Sequence, residues 1–230
     1  MIITYLGGEF VKVQFGDITL AFNPPSRDSK LKVTRFGADI ALVSLNHADF
    51  NGVANVTHGD RKPFVISGPG EYEIKGVVVR GFPTISTYGG GETSERISKD
   101  EIRTGKHINT VYMVTLEGMK LCFLGTLSSP ELPAELKEEL DGIDILFVSI
   151  GGAGVLAPSE ANKLTVTLEP HLVIPIHFEG LGDKNALKQF LKEAGESNQP
   201  DGGAAQDKLT IKKKDLEGKE CEVVVLKAEL

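Results

Sequence analysis

A histidine and an aspartate stand two residues apart in the segment LNHADF, as His47 and Asp49, directly after the apolar run at 38–44. An imidazole and a carboxylate at that spacing in a tight loop can serve a cation together. They can equally hydrogen-bond their own loop, with Asp49 accepting from backbone amides. The residues alone leave both readings open. A second histidine, His177, ends the apolar run LVIPI and precedes Phe178. It is either a satisfied strand-end histidine or part of a pocket wall. His58 and His107 lie in polar stretches and are expected on the surface. Gly151-Gly152-Ala153-Gly154 could cradle an anion ahead of a helix starting at Pro158. The run lacks a phosphate-loop lysine and dinucleotide-binding spacing, so a turn required by the fold is expected there instead. Cys122 and Cys221 show no zinc-ribbon or redox spacing, and Cys122 in LCFL reads as a buried strand residue.

The elements that must hold these groups come in two blocks. Strands are expected at 1–6, 10–15, 18–22, 38–44, 64–67, 71–74, 77–80, 110–116 and 120–124, with Gly16-Asp17, Lys75-Gly76 and Glu117-Gly118 as turns. The run at 38–44 is apolar almost throughout, the mark of a strand buried on both faces. Helices and strands then alternate. Helices are expected at 130–140 with Ser129 as cap, at 158–168 and at 184–194, and strands at 143–150 and 172–176. The tail at 208–228 reads as a pair of strands around 216–219, and the polar segments 89–107 and 196–207 read as mobile loops. Strands followed by strand–helix alternation imply sheets with helices packed outside.

At 230 residues the chain suits one domain, with a core at about 1–195, large enough to need no disulfide or structural metal. A net charge of −7 argues against nucleic acid or an anionic membrane as partner. No segment reaches the length of a bilayer span. A soluble cytoplasmic protein with reduced thiols is expected.

The order of several blocks carries a resemblance. TYLGGEFVKVQFGDITLAFNPP, LNHADF, GPGEYEIKGVVVRGF, NTVYMVTLEGMKLCFLGTL, DILFVSIGGAG and HLVIPIHFEG each resemble successive segments of metallo-β-lactamase-fold hydrolases. The tail resembles that of a bacterial subgroup of zinc-dependent hydrolases related to the lactonases. The resemblance implies an α/β fold, a four-layer αββα sandwich with its metals at one edge of the paired sheets. There a metal ion lowers the pKa of bound water to about 7 and supplies hydroxide.

Carried onto this sequence, the family's ligand set is mostly gone. LNHADF stands where the family has HxHxDH, so Leu45 and Phe50 replace histidines while His47 and Asp49 are kept. Ser86 and Thr126 stand in place of a further histidine and the bridging aspartate, and His177 is the kept last histidine. Asn23, Gly8, Val155 and Ala157 replace other polar groups of the same pocket. The resemblance places His47 at the first metal and Asp49 with His177 at the second. No bound cofactor is therefore expected. The implied function is an inactive binding or structural protein, acting on a small-molecule ligand or as a protein subunit, and compatible with a homo-oligomer. The alternative is a hydrolase of phosphodiesters, lactones or other esters that uses one zinc on His47, Asp49 and His177. Neither Ser86 nor Thr126 has a recognisable base to make it a nucleophile.

Overall fold

The computed structural model describes residues 1–89, 107–196 and 205–229. Strands β1 (Ile2–Tyr5), β2 (Val11–Phe15), β3 (Ile18–Phe22), β4 (Ile40–Leu42) and β5 (Phe64–Ile66) are followed by β6 (Gly70–Ile74), β7 (Val77–Ile85), β8 (Ile108–Leu116) and β9 (Met119–Phe123). Then come α1 (Ala134–Glu139), β10 (Ile145–Ser149), α2 (Pro158–Leu168), β11 (Leu172–Ile176), α3 (Ala186–Glu193), β12 (Leu209–Thr210) and β13 (Glu222–Val223). Two mixed sheets result, ordered β12-β1-β2-β3-β4-β5 and β13-β11-β10-β9-β8-β7-β6.

Period-two alternation sorts the strand residues into layers. Leu20 and Phe22 on β3, Tyr112 and Val114 on β8, and Ile145 and Phe147 on β10 share the core between the sheets. There the Phe22 and Phe123 rings stack at 4.9 Å. Ala21 and Ala41 point to the other face of the first sheet, which Phe36, Val53 and Val56 cover. Cys122, Leu146, Val148 and Val173 point to the outer face of the second sheet, against Leu136 of α1, Leu164 of α2 and Phe190 of α3. This is the αββα sandwich that the block order implied. Each fully buried Leu or Phe contributes roughly 1.5–3 kcal/mol.

Three elements depart from the sequence reading. Helix α1 starts at Ala134 rather than at 130, because Pro133 disfavours helical geometry in the residue before it. Ser129 Oγ accepts from the Glu131 amide in a preceding turn instead of capping the helix. Strand β7 runs on through Gly81 and Pro83 to Ile85, paired with β8. The β6 pairing stops at Gly81, so Pro83 lies where β7 has an edge, and an edge tolerates a missing N–H. The tail strands do not pair with each other. Strand β12 joins β1 antiparallel and β13 joins β11 parallel, so the tail spans both sheets. Lys213 anchors the connection, its Nζ 2.6 Å from the buried Asp144 carboxylate. Of the segments read as mobile, 90–106 and 197–204 lie outside the described residues.

His107 is a further correction. It is buried at the start of β8, and its carbonyl accepts from Ser86 N at 2.9 Å. The polar residues before it hid the onset of the strand.

Candidate functional site

Strands β3 and β4 run parallel, as do β9, β10 and β11, so the loops after them emerge at common ends of their sheets. The loop after β4 is tied to the one after β3. Gly52 N donates to Pro24 O at 2.7 Å, Ser26 N to Ala48 O at 2.8 Å, and Asn55 Nδ2 to Pro25 O at 2.8 Å. A side chain at Gly52 would come within 2.0 Å of Pro25 O, so this crossing requires glycine.

Beneath these loops lies a buried polar network centred on Glu9. Its carboxylate is fully buried, and its Oε1 sits 2.7 Å from His177 Nδ1. Asn23 Nδ2 donates to Oε2 at 2.6 Å, and Ser149 Oγ lies 2.9 Å from Oε1. Asn23 also holds the end of β4, donating to Ser44 Oγ at 2.7 Å and accepting from Ser44 N at 2.8 Å. Both Asn23 and His177 adopt left-handed backbone, with φ of 45° and 63°. Asparagine and histidine are among the residues that tolerate this region best. His177 N donates to Gly8 O at 2.6 Å, which fixes the imidazole next to Glu9. The other ring nitrogen, Nε2, is buried without a hydrogen-bond partner among the described residues.

Above the network sits Tyr88. Its hydroxyl donates to Asp49 Oδ2 at 2.8 Å. Its ring meets those of His47 and His177 edge-on, at 5.1 and 5.2 Å, and that of Phe50 at 5.0 Å. Burial first, and then the Asp49 carboxylate, push the phenol well above its ordinary pKa. The backbone around Tyr88 is fastened on several sides. Tyr88 N donates to Ser86 Oγ at 3.1 Å and Thr87 N to Ser128 Oγ at 2.8 Å. Gly154, at φ 103°, lets the Gly-rich loop approach so closely that a Cβ there would stand 2.7 Å from Tyr88 Cα. That loop is a turn of the fold, as expected.

His47, Asp49, Phe50, Ser86 and His177 thus gather around Tyr88. Phe50 and Leu45 are both buried, filling space with apolar bulk. His47 Nδ1 accepts from Asp49 N at 3.2 Å. Asp49 accepts from two side-chain hydroxyls, Ser29 and Tyr88, rather than from backbone amides. Ser86 and Thr126 are buried, and Thr126 N and Oγ1 lie 2.9 and 3.1 Å from Asn109 Oδ1. Glu9 and Tyr88 were not singled out in sequence. The one signal for Glu9 is a charge between Gly8 and the apolar Phe10.

The arrangement does not fit a metal centre of the implied kind. Among the described residues, no three His, Cys, Asp or Glu side chains converge to hold an ion. The Tyr88 ring touches both His47 and His177, its hydroxyl takes an oxygen of Asp49, and Glu9 takes Nδ1 of His177. Among the described residues, no helix is long and apolar enough to cross a membrane.

The chain is similar in fold to several solved hydrolases. A protein from Thermotoga maritima, assigned to the Zn-dependent hydrolases of the metallo-β-lactamase superfamily, is 25% identical with a TM-score of 0.70, over 98% of this chain and 97% of that one. A protein from Parabacteroides distasonis, assigned as a metal-dependent hydrolase, is 19% identical with a TM-score of 0.59, over 84% and 89%. The isothiocyanate hydrolase from Delia radicum gut bacteria is 10% identical with a TM-score of 0.62, over 99% and 97%. The last two likenesses bear on the fold alone. No curated protein matches the sequence. The family model for the β-lactamase superfamily domain matches residues 2–177, and with the sandwich and the edge-sited loops in place, the chain belongs to that superfamily as a metallo-β-lactamase-fold protein.

Proposed function

We propose that this protein is a metallo-β-lactamase-fold hydrolase homologue that no longer hydrolyses, and that it acts as a binding or structural protein. The observation that carries this reading is the seat of Tyr88. Its ring and hydroxyl engage His47, Asp49 and His177 together, the three residues that resemble family ligands. A catalytic zinc needs three protein ligands and an open water position. Phe50 and Leu45 add apolar bulk, which disfavours a bare dication.

The competing reading is a hydrolase with one zinc on His47, Asp49 and His177, cleaving a phosphodiester, a lactone or another ester. The unpartnered Nε2 of His177 favours it. Metal analysis of protein purified without chelator separates the two. The expected result is far less than one zinc per chain, and background activity on ester, lactone and phosphodiester substrates after zinc is added. About one tightly held zinc per chain, lost on His47→Ala, would overturn the proposal in favour of the hydrolase.

A further inference from the structure

Rings on three sides and a carboxylate enclose the Tyr88 side chain. Three rings, His47, Phe50 and His177, stand 5.0 to 5.2 Å from its ring, two of them near perpendicular. These are favourable edge-to-face separations for aromatic groups. Its hydroxyl meets a carboxylate oxygen at 2.8 Å, and Ser29 Oγ holds the other oxygen of that carboxylate. The His177 side chain is only 1% exposed and carries the unpartnered Nε2. At its rim His47 is 36% and Asp49 15% exposed.

We propose that this cleft is a binding site for a neutral phenol-type aromatic hydroxyl, with Tyr88 as its resident occupant. The inference rests on the reading of a metal-free centre. An aliphatic alcohol would satisfy Asp49 but leave the ring walls unfilled. A plain aromatic hydrocarbon would fill the walls but give Asp49 no donor. An aromatic acid would bring a negative charge towards Asp49 and Glu9. A phenol meets both requirements.

The test uses the full chain with Tyr88→Gly, which leaves a space shaped for p-cresol. p-Cresol should bind this variant saturably and raise its unfolding midpoint, with little effect on the parent, whose site is filled. Binding to the variant should be about tenfold tighter than to the parent, and tighter than binding of toluene to the variant by about the same factor. The preference over toluene should vanish in the double variant Tyr88→Gly with Asp49→Ala. Equal p-cresol binding by parent and variant, or none by a folded variant, would overturn the proposal. If Tyr88→Gly does not fold alone, p-cresol added during refolding should restore its circular dichroism, and failure to do so counts against the site. Zinc content measured on the same samples keeps the two claims apart. Zinc in the parent defeats the metal-free reading, whereas zinc-free protein that ignores p-cresol defeats only the ligand site.

Discussion

A glutamine at position 9 would put an amide where Asn23 Nδ2 and His177 Nδ1 now meet a carboxylate. His177 Nδ1, Asn23 Nδ2 and Ser149 Oγ all lie within 2.9 Å of Glu9 oxygens, in full burial. Glu9→Gln replaces two carboxylate acceptors with one acceptor and one donor, so either Asn23 Nδ2 faces a donor or His177 must change tautomer, and the change is expected to lower stability by about 1–3 kcal/mol. A denaturant midpoint equal to the parent's would show that the network is not needed. Phe50 tests the apolar side of the same site. It is fully buried and touches His47, Tyr88 and His177. Phe50→His is expected to cost about 1–3 kcal/mol and to bring little zinc affinity. A variant as stable as the parent that binds zinc tightly would mean the centre was never closed. His47, Asp49 and His177 were legible in sequence because they stand at positions of a recognisable motif. Glu9 was not, because its partners Ser149 and His177 lie 140 and 168 residues along the chain. Tyr88 was not, because a lone aromatic in a polar loop gives no sign of what it packs on.

The loop at 151–154 shows how a connection can hold a residue through its backbone. Gly154 accepts close backbone contact with Tyr88, at a φ that alanine adopts only with strain. Gly154→Ala should therefore destabilise the protein by more than about 1 kcal/mol and loosen the seat of Tyr88. The chain has four tyrosines and no tryptophan, so near-ultraviolet dichroism reports the tyrosine surroundings directly. A spectrum and melting temperature identical to the parent's would remove Gly154 from the account. Among the elements, α2 and β11 follow the sequence reading because an N-terminal proline and an unbroken apolar run mark them. The tail does not, because period-two alternation says that a strand exists but not which sheet receives it. Strands β12 and β13 have two residues each, and their partners decide their place.

Two buried phenols and a half-buried one tie the stability of the molecule to alkaline pH. Burial is the largest cause raising the pKa of Tyr5, Tyr88 and Tyr112, each from an ordinary value of 10.0. A raised pKa means the native state keeps the proton longer than the unfolded chain does. The stability from these groups is then fully present below about pH 10 and is lost as pH rises from there towards the native values. The melting temperature should fall steeply above about pH 10, and less steeply in Tyr88→Phe, which lacks one of the phenols. Equal slopes for parent and variant would show that Tyr88 does not titrate on unfolding. The overall architecture was legible because the order of blocks along the chain survives where single ligands do not. The closing of the first sheet has a consequence for how the protein is made. Ile2 pairs with Thr210, and the Met1 ammonium donates to Ile211 O at 2.8 Å, across 210 positions of sequence. A ribosome adding roughly 5–20 residues per second needs about 10–40 seconds to deliver that partner. Throughout that interval the outer edge of β1 is a row of open hydrogen-bonding groups on a nascent chain, exposed to wrong strand pairing until residues 209 and 210 have emerged.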